Sequence, residues 1–132
     1  MDRAKLEQAY QKVDFMRRAL LETRKRLEGQ KADMVALYGD NTPLVVCYNQ
    51  DIAHVDDLVK TIHDYIGKCD DWKIMELIYD IMADEKSLLD ERFTETKKAS
   101  KVKAVRKRIE KSWKKIKKIE EKNAKKKGEV RA

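Results

Sequence analysis

From Leu6 the apolar positions recur in alternating steps of three and four: Leu6, Ala9, Val13, Met16, Leu20, Leu27, Met34 and Leu37, with Thr23 and Gln30 at the two polar seam positions. One register held for about five heptads predicts a single long helix whose apolar edge faces other helices. Gly29 lies inside that register and costs about 1 kcal/mol relative to Ala, which makes it a point for a bend or fraying. The stop signal is Gly39-Asp40-Asn41-Thr42-Pro43. Gly39 can take the left-handed cap conformation, Thr42 can cap a new helix, and Pro43 suits its first position.

The next stretch keeps the helical period through Val45, Tyr48, Ile52, Val55, Val59, Ile62 and Ile66, flanked by Leu58 and Tyr65, with Gly67 as its closing residue. Leu44 to Tyr48 read alone also fits a short extended lead-in, in which case the helix opens at Asp51. An isolated strand has no partner here, so sheet is not expected. Asp70 or Asp71 then caps a third helix with Trp72, Met75, Ile78, Met82, Leu89 and Phe93 on its core face and Ile74, Ile81 and Leu88 on the adjoining edge. The pattern lapses into polar residues from Thr94 to Ser100. It resumes at Val102, Val105, Ile109, Ile116 and Ile119, with Ser112 and Asn123 at seam positions, as a fourth helix either jointed to the third or continuous with it.

These periods define an all-α class: an elongated antiparallel helical bundle, coiled-coil-like in its seams, of three to four helices. The long N-terminal helix and a basic C-terminal helix are its distinguishing parts. A helix over residues 3–38 spans ~54 Å, more than the ~35 Å diameter of a compact domain of this length, so an elongated body or a helix reaching a partner is expected. The composition agrees, since 42% charged residues, 7% aromatics, four Gly and one Pro suit long solvated helices rather than strands and tight turns.

Charge divides the chain in two. Residues 97–132 carry seventeen Lys/Arg against four Asp/Glu, a net +13, which leaves −6 on residues 1–96 of a chain whose total is +7. The chain therefore separates into an acidic helical bundle, 1–96, and a basic C-terminal helix and tail, 97–132. Lysines repeat at i, i+4 in two rows, Lys103-Lys107-Lys111-Lys115 and Lys114-Lys118-Lys122-Lys126. Six like-charge pairs at ~0.2–0.5 kcal/mol each make the free helix about 1–3 kcal/mol less stable than a neutral one, and Glu110 with Lys114 and Glu121 with Lys125 offset little of it. An external polyanion would relieve the rest, with counterion release as the driving force.

The expected function is therefore that of a non-catalytic binding subunit on a nucleic-acid backbone, within a nucleoprotein assembly. Lys103, Lys107, Lys111, Lys114, Lys115, Lys118 and Lys122 are the phosphate contacts, and Trp113 either packs on the bundle or stacks on a base. Lysine dominates over arginine, so recognition is by point charge and independent of base sequence. The alternative is a protein–protein module or inhibitor that uses its heptad seams and basic helix on an acidic protein surface, or on a second copy.

Other chemistry finds little support. Glu76, Asp80 and Asp84 form an acidic i, i+4 row, but a dimetal hydrolase needs a second carboxylate cluster on a facing helix, and the first helix offers only scattered Glu7, Asp14, Glu22 and Glu28. His54 and His63 fall on different sides of one helix and cannot share a metal. Cys47 and Cys69 lack CxxC spacing and read as reduced, inert thiols. No Gly-rich phosphate loop is present, and residues 90–119 lack the turn of a helix-turn-helix. No enzyme, cofactor or metal is implied. The N-terminus has no apolar leader and no run approaches ~18 apolar residues, so a cytoplasmic protein without a membrane partner is expected. The Val/Ile seam of the basic helix is also narrower than a lipid-facing stripe.

Overall fold

The computed structural model describes residues 2–91 and 99–131, with side chains for 2–90 and 100–126. Phe93 and the third-to-fourth helix junction lie outside the described residues. Four helices are formed: α1 (Arg3–Tyr38), α2 (Pro43–Lys68), α3 (Trp72–Glu91) and α4 (Ala99–Arg131). Their ends follow from local chemistry. The Asp2 carboxylate accepts the Lys5 N–H at 3.2 Å and opens α1. Gly39, at φ +81°, closes it by donating its N–H to the Val35 carbonyl at 2.8 Å.

Thr42 caps α2 through its hydroxyl and Pro43 takes the first turn, so α2 begins at Pro43 rather than at Asp51 and no extended lead-in exists. It also runs through Gly67, ending at Cys69, whose N–H bonds the Tyr65 carbonyl at 2.8 Å. Asp71, not Asp70, caps α3, accepting the Lys73 N–H at 2.9 Å. Gly29 interrupts nothing. Nothing lies within 4 Å of a Cβ placed there, and α1 passes through it as one helix.

Cross-helix ion pairs give the directions. Lys12–Glu76 and Arg26–Asp90 each span 64 residues, so α1 and α3 run parallel and in register. Arg24 to Asp56 sets α2 antiparallel to α1, and Arg108 to Asp84 with Asn123 to Asp71 sets α4 antiparallel to α3. α1 packs on α2 and α3, and α3 packs on α4; α2 and α4 make no comparable backbone approach and meet through side chains. α3 is consequently the central element. Ile74, Met75, Ile78, Ile81, Met82 and Leu89 are all buried on it, each contributing about 1.5–3 kcal/mol of transfer free energy.

One apolar cluster joins all four helices, with Val105, Ile109 and Ile116 of α4 in contact with the core of α1 to α3. The heptad positions of α1 are buried from Ala9 to Leu27, including Thr23, and half-buried at Leu6, Gln30 and Met34. Leu37, predicted as seam, is 67% exposed instead. The register explains why: Arg26 is level with Asp90 near the end of α3, so among the described residues the last eleven or so of α1 have only α2 beside them. Trp72, expected in the core, is half-buried at the start of α3, with the Lys5 ammonium 4.7 Å above its ring. On α2 the deeper position is Leu58 rather than Val59. Asp51, absent from the predicted stripe, is only 2% exposed.

Candidate nucleic-acid interface

The three–four spacing of Val105, Ile109 and Ile116 fixes the rotation of α4, because burying those three against α3 turns the intervening lysines outward. Lys103, Lys107, Lys111, Lys114, Lys115, Lys118 and Lys122 are all exposed. None of them takes part in an ion pair or hydrogen bond among the described residues. With the adjacent Lys114 and Lys115 taken as one step, their positions from Lys103 to Lys122 form a ridge ~29 Å long with a cation every three or four residues, or ~4.5–6 Å along the axis. Lys117, Lys125 and Lys126, left out of the predicted set, are exposed on the same helix, and the lysine rows pointed to the last of these.

Specific contacts hold the two sides of α4. Toward α3, Arg108 donates to both oxygens of Asp84 at 2.8 and 3.1 Å, and the Asn123 amide donates to Asp71 at 3.0 Å. Toward α2, Trp113 lies against Tyr65 with ring centroids 6.3 Å apart at 48°. The Tyr65 hydroxyl donates to Glu120 at 3.3 Å. Burial and the nearby Glu120 carboxylate push the Tyr65 phenol up to about 12, so it stays a neutral donor. Trp113 is thus half-buried on the α2 side, about a third of a turn round the helix from the centre of the lysine ridge.

The acidic row of α3 is shared out among the neighbouring helices. Glu76 pairs with Lys12 of α1 at 2.8 Å, and Asp84 pairs with Arg108 of α4. Asp80 sits between them; partial burial raises its carboxyl above the ordinary value, with Lys12 pulling the other way. No cluster of three or more His, Cys, Asp or Glu among the described residues could hold a metal ion. His54 meets Glu85 of α3 at 2.6 Å, and that hydrogen bond raises the imidazole above its ordinary value of 6.5. His63 is exposed. Cys47 and Cys69 are free thiols, ~33 Å apart along α2, too far to bridge. Burial foremost raises the Cys69 thiol, which keeps it protonated and slow to react.

Where α2 and α4 diverge, a cleft of about 410 Å³ opens between Tyr65, Cys69, Asp71, Ile74, Glu120 and Asn123. Two of its carboxylates already have partners, Glu120 in Tyr65 and Asp71 in Asn123, and its one thiol is protonated. No helix among the described residues is long and apolar enough to cross a membrane. Comparison with protein-family models, with curated proteins and with solved structures finds no match to this chain.

Proposed function

We propose that the protein is a non-catalytic helical binding subunit that holds a nucleic-acid backbone along α4, within a larger nucleoprotein assembly in the cytoplasm, where its two thiols stay reduced. The ridge of exposed, unpaired lysines carries this reading. Seven ammonium groups on one face repel one another; Glu76 and Asp84 of α3 are occupied by Lys12 and Arg108, and only Asp80 is left to face the ridge, near Lys115. A polyanion removes the repulsion and releases its own condensed counterions. The contacts are to phosphate, without base readout.

Titration with random-sequence nucleic acid at increasing salt tests it. Binding should be micromolar and fall linearly in log K against log salt. Replacing Lys107, Lys111, Lys114 and Lys118 with Gln should leave helix content unchanged and flatten the slope by about three units. Equal affinity of parent and variant would transfer the lysines to a protein partner.

That second reading, a protein–protein module, has one observation of its own. Leu37, Tyr38, Leu44 and Val46 are exposed together at the end of the α1–α2 hairpin. Exposed apolar side chains close together in the chain on either side of one turn fit an interaction surface. The two readings are compatible in one molecule, with a nucleic-acid face on α4 and a partner face at the hairpin end.

A further inference from the structure

On the reading that α4 binds phosphate, we infer that its ligand is a single extended nucleic-acid strand of about six nucleotides laid along the helix, rather than a duplex. Three observations carry this. The first is steric. α3 runs beside α4 from Asp84 opposite Arg108 to Asp71 opposite Asn123. Two packed helices 8–10 Å apart cannot enter a major groove ~12 Å wide, so the central part of α4 can meet phosphates only from outside.

The second is electrostatic. Carboxylates lie on the helices that flank α4, Asp80 and the Arg108-paired Asp84 on α3 and Asp64 on α2, with Lys117 and Arg106 between the ridge and the α2 side. The attractive surface is confined to α4, and a second phosphate strand lying beyond that one helix would face the carboxylates of α3 or α2. The third is spacing. A cation every ~4.5–6 Å along a straight axis approaches the phosphate step of an extended strand. A duplex strand advances only ~3.4 Å per phosphate and turns fully every 10–10.5 steps, so it leaves the line of a straight rod after about three or four phosphates. One strand can therefore engage about six lysines where a duplex engages about four.

DNA and RNA present the same backbone, so the probes are oligo(dT) and oligo(U) of 4, 6, 8, 12 and 20 nucleotides together with a random 20-base-pair duplex, measured by fluorescence anisotropy over a range of KCl. Affinity should climb steeply up to about six nucleotides and then rise only in proportion to the number of binding registers. The salt slope on the 12-mer should be about −4, steeper than the about −3 to −3.6 on duplex, reversing the order expected from charge density alone. A steeper slope on duplex, or affinity that keeps climbing steeply from 8 to 20 nucleotides, overturns the single-strand inference and leaves phosphate binding intact. Absence of binding to every probe overturns the phosphate reading itself. A preference between oligo(dT) and oligo(U) of tenfold or more would also overturn the inference, because it requires contacts to sugar or base that the ridge does not offer.

Discussion

At Gly29 and Gly39 the same residue type does opposite work. Gly29 has helical neighbours and open space around its missing Cβ, so Gly29→Ala should raise stability by about 0.5–1 kcal/mol in a urea titration. Gly39 sits at φ +81°, where a side chain is strained, and Gly39→Ala should lower it by about 1 kcal/mol. The His54–Glu85 pair makes stability depend on pH. Because the folded imidazole is raised above its ordinary 6.5, its contribution is fully present below that value and is lost as pH rises through the folded value. His54→Gln should therefore cost more at pH 5.5 than at pH 8.5, by less than ~1 kcal/mol, since the pair is half open to water. An equal cost at both pH values would mean that packing, not charge, holds the pair.

Among the elements, α3 carries the load and α4 carries the charge. Ile78 is fully buried on the helix that touches the other three, so Ile78→Ala should cost about 2–5 kcal/mol by urea denaturation. The four-lysine Gln variant should cost nothing and gain about 1–2.5 kcal/mol, because it removes five of the six repulsive i, i+4 pairs at exposed positions. Core and lysine face are thus separable by mutation, with α4 contributing Val105, Ile109 and Ile116 to one and its exposed lysines to the other. The α1–α2 hairpin shows the opposite case. Among the described residues its end has only two helices, which cannot cover each other completely, and Leu37, Tyr38, Leu44 and Val46 are exposed there.

Over the whole molecule, length is the distinguishing property. α1 spans ~54 Å and α4 extends a few residues past its start, so the body is ~60 Å long. A compact chain of this size has a radius of gyration of ~14 Å, whereas a rod of this length with the width of four helices has about 18–19 Å. Small-angle scattering at low concentration should give the larger value. A result near 14 Å would show that the helices fold back on one another in solution. The same elongation aligns the lysine ridge with the long axis, which suits a linear polyanion better than a compact anionic ligand.

Much of this was already legible in the chain. The three–four period placed α1 and α4, the Thr42-Pro43 pair offered the start of α2 with Asp51 as its alternative, and the lysine rows of α4 fell on its exposed face because burial of Val105, Ile109 and Ile116 leaves them nowhere else to go. Local periodicity and capping act over a few residues, so they survive without knowledge of the neighbours. What depended on the neighbours was not legible. The parallel register of α1 with α3 decides that, among the described residues, α3 ends before the Leu37 position although its heptad phase is unbroken. The same packing takes Glu76 and Asp84 out of an acidic row and into pairs with Lys12 and Arg108, turns Trp113 toward Tyr65, and sinks Asp51 into a face that its polarity would have kept in water. Sequence period specifies which side of a helix is apolar; only the arrangement of the other helices specifies how far along that side the cover extends and which charges meet.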